Sequence, residues 1–356
     1  MSAMHHEDPH LFRLGLLLAG GGAAVRRTVA AMAPESSLEA SLLAGGVGSA
    51  VVEAGRSLAR TEARTVRDRA AAAGWRWLVP IDAEYPKSLS AMVDPPLGLF
   101  VCGRLTDAPA VAIVGSRKAT PYGRQVARLL GEELTHAGVV VVSGMARGVD
   151  AEAHRGALEA GGVSWAVWGT GPDTVYPAEH AELAAELAVD GALLTEYPPG
   201  TPPRKHHFPE RNRILAGLTR ATVVVEAAAR SGALITARLA MEEGREVLAV
   251  PGNIFSELSV GPNTLLRVGA RPLLTPRDLF DAIGVPPPAA AAGNRSAAGS
   301  WVAEGEALTV DEIAARAGVP VAEVVARLLD LELSGDLTRL EDGRYMQTSA
   351  TLPGGS

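Results

Sequence analysis

Six short, valine-rich segments constrain the fold of this chain more than any other feature of its sequence. They are Val111–Gly115, Val139–Ser143, Val163–Gly169, Ala192–Glu196, Thr222–Glu226 and Glu246–Val250. Most are apolar at consecutive positions, as is typical of strands that helices cover on both faces of a parallel sheet. Amphipathic segments such as Gly123–Ala137 and Ala233–Gly244 lie between them. This alternation predicts a doubly wound, mostly parallel sheet of the α/β class, with an extended Rossmann-like arrangement.

The regions on either side of this pattern differ from it in composition and predict further domains. Residues 1–75 are predicted to form short helices joined at Gly20-Gly21-Gly22, either as a plain bundle or as a helix-hairpin-helix-like domain whose turn amides bind a phosphate. Residues 76–285 then form the Rossmann-like domain, and residues 286–302 are a linker rich in proline, alanine and glycine. Residues 303–349 have the helix, turn, helix and hairpin order of a winged helix.

Composition excludes several classes of protein. The 356 residues carry a formal net charge of −7, so any contact with a nucleic acid must be a local basic patch on an acidic body. No apolar stretch reaches the roughly 18 residues that a membrane helix needs. A single cysteine, Cys102, cannot form an internal disulfide, and the start of the chain does not resemble a signal peptide. We therefore expect a cytoplasmic protein without a membrane contact.

Ligands of doubly wound sheets bind beyond the carboxyl ends of the strands, and the loops predicted there are rich in glycines, hydroxyls and cations. The candidate binding residues in these loops are Gly115, Ser116, Arg117, Lys118, Ser143, Gly144, Arg147, Ser231 and Gly232. Amides at a helix start and a planar guanidinium such as that of Arg117 can bind a phosphate together. A plain βα turn explains each loop equally well when it is taken alone. Asp150 and His154 are better explained as a helix N-cap and as the hydrogen-bond partner of a nearby carbonyl than as a catalytic pair.

The segment Arg204–Arg213 gives the strongest indication of function. Its sequence RKHHFPERNR surrounds Phe208 with cations, and the candidate binding residues in it are Lys205, Phe208, Arg211, Asn212 and Arg213. Phosphates require the cations, and unpaired bases stack on an aromatic ring with about 1–3 kcal/mol per base. A solvated charged surface does not require the aromatic residue. The segment therefore predicts a contact with a single-stranded nucleic acid.

Several motifs, taken in their order along the chain, resemble the DNA processing protein A family (DprA, also called Smf). Among them are GSR at Gly115–Arg117, SGMARGVDAEAH at Ser143–His154, GTGPDTVYP at Gly169–Pro177 and KHHFPERNRILAGL at Lys205–Leu218. The resemblance covers about half of the chain, where the motifs together are specific. It implies an extended Rossmann domain, preceded by a helical, SAM-like domain and followed by a winged helix.

The same resemblance implies a function. It implies a homodimer, formed by the Rossmann-like domain, that binds incoming single-stranded DNA during natural transformation. The protein would protect this strand and help to load the recombinase RecA onto it, without enzymatic turnover and without a cofactor or metal. Arg117 and Lys205 would contact the DNA backbone, and Phe208 would contact a base.

The predicted winged helix departs from what a DNA-binding domain requires. Between Ala303 and Met346 it has ten acidic residues and four arginines. Repulsion from phosphates opposes binding of DNA by such a domain. We therefore expect the winged helix to contact a protein.

A nucleotide hydrolase of the phosphoribohydrolase type is the main alternative function. Four residues near strand ends could act as acid or base in such an enzyme: Asp150, His154, Glu196 and Glu226. The sequence contains no paired-carboxylate motif, no metal-ligand spacing and no P-loop lysine. A binding protein is therefore favoured over the enzyme.

Overall fold

The structure is a computed structural model, and it describes residues 8–30, 38–288, 301–302, 306–333, 337–340 and 342–347. The chain divides into two compact units, Met1–Pro286 and Pro287–Ser356. Most of the predicted linker, from residue 289 to residue 300, lies outside the described residues. Within the described ranges, no helix is long and apolar enough to cross a membrane.

A nine-stranded sheet forms the centre of the first unit. Its strands are β1 (Arg76–Leu78), β2 (Leu99–Gly103), β3 (Ala110–Val114), β4 (Val140–Ser143), β5 (Ser164–Trp168), β6 (Ala192–Thr195), β7 (Ala221–Val224), β8 (Glu246–Ala249) and β9 (Arg271–Pro272). Their spatial order is β1-β2-β6-β5-β4-β3-β7-β8-β9. In this spatial order, every neighbouring pair from β6 to β9 is parallel. At the other end of the sheet, β1 pairs antiparallel with β2, and β2 pairs antiparallel with β6. The winding from β3 outward to β6, and then back to β7 on the other side of β3, confirms the predicted doubly wound topology.

In the described residues before the sheet, 8–30 and 38–75, the chain forms five helices. They are α1 (Pro9–Leu18), α2 (Ala23–Ala30), α3 (Leu38–Ala44), α4 (Ser49–Thr61) and α5 (Ala63–Ala72). Leu14 and Leu16 of this helical region share a hydrophobic core with Trp168 and Leu193 of the sheet. The helices therefore pack onto the sheet within the first unit, and their core is continuous with that of the region after residue 75.

The glycine turn between α1 and α2 was a candidate phosphate cradle. The amide of Gly20 donates to the carbonyl oxygen of Leu17, and the amide of Gly21 donates to that of Leu16. These amides close the end of α1, so they are not directed toward a ligand. The geometry favours the plain helical bundle.

Eight further helices cover both faces of the sheet. Those on one face are α7 (Pro121–His136), α8 (Val149–Glu159), α9 (Ala181–Asp190) and α13 (Pro276–Ile283). Those on the other face are α6 (Lys87–Ser90), α10 (His207–Leu218), α11 (Gly232–Glu242) and α12 (Val260–Arg267). Val141 of β4 packs in the core with α7 and α8, whereas Val140 and Val142 pack in the core with α10 and α11. This double burial explains why the strands are apolar at consecutive positions.

The second unit has the elements of a winged helix. They are β10 (Ala307–Leu308), α14 (Val310–Ala317), α15 (Val321–Leu333), β11 (Leu337–Arg339) and β12 (Tyr345–Gln347). The strands form a small antiparallel sheet in the order β10-β12-β11, and Ile313, Val324 and Leu328 form the centre of its core. The sequence-based prediction of a winged helix is confirmed.

Candidate nucleic-acid interface

Arg117 and Phe208 meet at the carboxyl edge of the parallel strands. Arg117 lies in the loop after β3 with an exposed side chain, and Phe208 lies half-buried in the first turn of α10. The guanidinium carbon of Arg117 is 5.2 Å from the centroid of the Phe208 ring, which is within the range of a cation–π contact. A cation and an aromatic ring from separate loops therefore form one surface.

The start of α10 is held so that Phe208 faces outward. A Cβ atom at Gly169, just after β5, would lie 3.0 Å from Cδ1 of Phe208, so a larger residue there would require the ring to shift by a few tenths of an ångström. His207 donates from Nδ1 to the carbonyl oxygen of Gly169 at 3.1 Å, and Tyr197 stacks on the His207 ring with centroids 4.2 Å apart. Burial lowers the pKa of His207, in keeping with a neutral ring in this anchoring role.

Tyr176 is a second aromatic residue at this site and was not predicted from the sequence as a binding residue. Its ring centroid lies 5.3 Å from that of Phe208, with the planes tilted by 41°. The two rings and Arg117 line an open cleft of about 290 Å³, solvent at its mouth included, whose other lining residues are Gly144, Ala146, Arg147 and Pro177. An exposed aromatic in the glycine-rich GTGPDTVYP loop after a strand was the signal that could have identified Tyr176.

Further cations lie in the loops of the same edge. Lys118, Arg204, Lys205 and Arg230 all have exposed side chains. None of these four makes an ion pair with another residue in the described part of the chain. Arg230, directly before Ser231, was not selected from the sequence, although it belongs to the loop after β7. This edge therefore concentrates uncompensated positive charge on a protein whose net charge is −7.

Arg147 is exposed at the wall of the cleft, but a carboxylate engages it. Its Nε and Nη2 atoms donate to the two carboxylate oxygens of Glu179, each at 2.6 Å. The Nε and Nη2 donors, which could bind two oxygens of a phosphate, are therefore both occupied by Glu179 in this structure.

Arg211 was predicted to contact DNA, and the structure corrects this. Its guanidinium is buried and donates to the backbone carbonyl oxygens of Val167 and Gly144, the latter at 3.2 Å. Burial lowers the pKa of Arg211 to about 10, so the group stays charged at neutral pH, close to the carboxylate of Asp150. Arg211 binds the ends of β4 and β5 from inside the protein.

Asn212 and Arg213 are also buried, contrary to prediction. Asn212 donates from Nδ2 to the carbonyl oxygen of Gly232 at 3.2 Å. Arg213 pairs with Glu196 and donates to the carbonyl oxygen of Asp94 at 3.0 Å. The reason is that this segment is helical. α10 starts at the carboxyl edge of the strands and packs against one face of the sheet, so the side chains one turn after Phe208 are already buried against the strands.

Most of the small polar residues predicted to bind DNA shape the loops instead. The hydroxyl of Ser143 is fully buried and donates to the carbonyl oxygen of Ile113 at 2.6 Å. Ser116 is buried and accepts from the amide of Lys118 at 3.1 Å, and Ser231 accepts from the amide of Ala233 at 3.3 Å. The predictions for Ser143 and Ser116 as direct contacts are therefore not supported by their placement.

The glycines differ in their exposure. Gly232 is exposed at the start of α11, and Gly115 is half-buried beside Val149. Gly144 lines the cleft with its backbone, and a Cβ atom there would collide with the guanidinium of Arg211. Gly144 therefore combines a position at the cleft with a close internal contact that only glycine permits.

The candidate catalytic pair does not face the cleft. Asp150 is buried and accepts from the amides of Gly144 and Ala146 at 3.1 and 3.3 Å. His154 is fully buried, its Nδ1 atom lies 2.7 Å from the hydroxyl of Ser164, and burial lowers its pKa to about 3. Among the described residues, no group of three or more His, Cys, Asp or Glu side chains could hold a metal ion.

Fold and site together define an α/β protein with a cation- and aromatic-lined cleft at the carboxyl edge of a doubly wound sheet. The sequence model of the DNA recombination-mediator protein A family matches residues 76–284, and that of the DprA winged helix domain matches residues 303–343. The chain belongs to the DNA recombination-mediator protein A family.

Relatives support this assignment across most of the chain. Protein Smf of Escherichia coli (strain K12) is 43% identical over 284 residues, which cover 75% of this chain and 76% of the relative. A putative DNA processing protein DprA of Mycobacterium tuberculosis (strain H37Rv) is 41% identical over 328 residues, which cover 82% of this chain and 84% of the relative.

Two solved structures resemble the fold. DNA processing protein A of Streptococcus pneumoniae matches with a TM-score of 0.67 and 35% identity, over 75% of this chain and 95% of that one. A structure that describes the single-stranded DNA binding mode of DNA processing protein A from Helicobacter pylori matches with a TM-score of 0.53 and 30% identity, over 59% of this chain and 96% of that one.

Proposed function

We propose that this protein binds single-stranded DNA in the cleft between Arg117, Phe208 and Tyr176, and acts in natural transformation without enzymatic turnover. The observation that carries the proposal is the contact of the exposed Arg117 guanidinium with the half-buried Phe208 ring, 5.2 Å apart, among exposed cations that have no acidic partner in the described part of the chain. The Helicobacter pylori relative, described in a single-stranded DNA binding mode, supports it.

The chemistry of the cleft fits an unpaired strand. Arg117, Lys118 and Lys205 can bind successive phosphates, while an unstacked base lies against Phe208. Paired bases in a duplex cannot present their faces to the ring. Binding is therefore expected to favour single strands, to depend steeply on salt and to show little preference for sequence.

The proposal is tested by comparing a fluorescent single-stranded oligonucleotide with the same sequence as a duplex at physiological salt. Tighter binding of the single strand supports it, and equal or absent binding contradicts it. Incubation with nucleoside monophosphates tests the absence of turnover. Rapid release of free base would instead favour the hydrolase.

Replacing Arg117 or Lys205 with alanine is expected to weaken binding and to make its salt dependence shallower. Each phosphate contact with a single strand contributes about 0.7 to the slope of log affinity against log salt concentration, so each loss should reduce the slope by about that amount. Titrations at several salt concentrations measure this. Arg277→Ala, which removes an exposed arginine of α13, is the matched control and should leave affinity and slope unchanged. Normal slopes for both cleft variants would place the backbone contacts elsewhere.

We also propose that the first unit forms a homodimer through exposed apolar side chains beside β8 and β9. Ile254 and Phe255 follow β8, Leu274 follows β9, and these strands are parallel neighbours at the sheet edge. Phe255 is 91% exposed and the adjacent Ile254 is 80% exposed, and large apolar side chains exposed next to one another are typical of a protein–protein contact.

Phe255→Glu is expected to convert the dimer to a monomer, because it places a charge in the apolar contact. Light scattering should then report half the mass of the wild-type particle. Ile81→Glu, at another exposed apolar position after β1, is the control and should leave the dimer intact. A monomeric wild-type protein, or a dimeric Phe255→Glu variant, would refute this surface.

The finer roles are proposed on the resemblance to the family. The protein would act in the cytoplasm, protect the bound strand and help to load RecA onto it. Slower nuclease digestion of bound DNA and faster growth of RecA filaments would support these roles, and unchanged rates would contradict them.

The winged helix is proposed to contact a protein, because acidic residues outnumber arginines between Ala303 and Met346 by ten to four. A chain that ends at Pro286 should then bind single-stranded DNA as tightly as the full chain. A marked loss of affinity in this shorter chain would contradict the proposal.

A further inference from the structure

One wall of the cleft carries a cation that a carboxylate already engages. Arg147 lies two residues before the start of α8, and Glu179 lies in the short 3-10 helix Ala178–His180, which follows Pro177 of the cleft lining. The two side chains form a bidentate pair, with Nε to Oε1 and Nη2 to Oε2 each at 2.6 Å. Their side chains are 56% and 53% exposed, so solvent and ligands can reach the pair.

The geometry of this pair is the one that a DNA phosphate would adopt with the same guanidinium. Arginine presents two parallel N–H donors, and carboxylates and phosphates both accept them with two oxygens. The hydrogen bonds lower the pKa of Glu179 and raise the pKa of Arg147, so both groups are charged at neutral pH. Both side chains are more than half exposed, so solvent and salt screen the pair, and a phosphate that accepts the same two donors can displace the carboxylate.

We propose that Glu179 competes with DNA: its carboxylate occupies the donors of Arg147 in the free protein, and a phosphate of the bound strand replaces it. This inference rests on the proposed binding of single-stranded DNA in the cleft. Arg117, Lys118 and Lys205 bind phosphates without a competitor, whereas the Nε and Nη2 donors of Arg147 become available to a phosphate only after exchange. Glu179 thus lowers the affinity for the strand.

The experiment measures single-stranded DNA affinity in wild type, Glu179→Gln, Arg147→Gln and the double variant. Glu179→Gln should bind roughly two- to fivefold more tightly, which is the range expected when one exposed ion pair no longer opposes binding. Glu182→Gln is the matched control, since Glu182 is an exposed acid in the first turn of α9 and its replacement changes the net charge equally. It should have a smaller effect than Glu179→Gln.

The double variant separates competition from simple repulsion. If Glu179 acts through Arg147, Glu179→Gln should give no gain when Arg147 is already glutamine. An equal gain in both backgrounds, or in Glu182→Gln, would assign the effect to general charge and overturn the inference. Unchanged or weaker binding by Glu179→Gln would also overturn it while leaving the proposed function intact. A wild-type protein that does not bind single-stranded DNA would overturn both.

Discussion

Replacing Phe208 with alanine is expected to weaken single-stranded DNA binding by about 1–3 kcal/mol, the contribution of one stacked base. This corresponds to a loss of roughly 5- to 150-fold in affinity. The ring faces the cleft between Arg117 and Tyr176, so its removal takes away an aromatic surface and no charge. The slope of affinity against salt should therefore stay close to that of wild type. Anisotropy titrations across salt concentrations measure both quantities.

Two further substitutions at this position isolate the aromatic face. Phe208→Leu keeps an apolar side chain beside Gly169 but loses the ring, so its affinity should fall close to that of the alanine variant. Phe208→Trp keeps a ring and should bind closer to wild type than Phe208→Leu does. Wild-type affinity in both Phe208→Ala and Phe208→Leu would show that no base stacks there.

The sequence predicted the sheet well because burial on both faces leaves a strong signal. Strands such as β3 are apolar at every position, and the observed ends of β3 to β8 lie within one or two residues of the predicted ones. Strands β1, β2 and β9, at the two edges of the sheet, were not predicted. β1 has three residues and β9 has two, too few to show a period, and β1 and β2 pair antiparallel outside the β-α alternation.

The candidate site was predicted in part. The meeting of Arg117 with Phe208 followed from strand order, because loops after parallel strands share one edge of the sheet. The exposure of individual cations did not follow, since Arg204–Arg213 has the composition of a polar loop. In the structure this segment is the start of α10, and Pro209 does not prevent the helix because proline is tolerated in the first turn. The helix places the Arg211 side chain against the buried carbonyl oxygens of Gly144 and Val167. These partners are distant in sequence, so no local sequence pattern predicts the contact.

Tyr176 was missed for a related reason. Its value to the site comes from a contact with Phe208, which belongs to another loop, and the alternation of strands and helices does not predict which side chains meet across loops. The same holds for Arg147, which is exposed as a DNA contact requires but is paired with Glu179.

Replacing Arg211 with alanine is expected to lower the free energy of unfolding by about 3–5 kcal/mol, because it removes the buried guanidinium and leaves the groups around it without their charged partner. The carbonyl oxygens of Gly144 and Val167 would lose their donor, and the buried carboxylate of Asp150 would lose its nearby positive charge. Urea denaturation measures the loss.

Arg117→Ala is the matched control for this change, since its exposed side chain makes no ion pair among the described residues and its removal should alter stability by no more than about 0.5 kcal/mol. The two substitutions should therefore have different effects. Arg211→Ala should mainly reduce stability, and Arg117→Ala should mainly reduce DNA affinity and the dependence of that affinity on salt. If Arg211→Ala were as stable as wild type and lost salt slope instead, Arg211 would have to reach the DNA. The inward position of α10 beyond Phe208 would then be wrong.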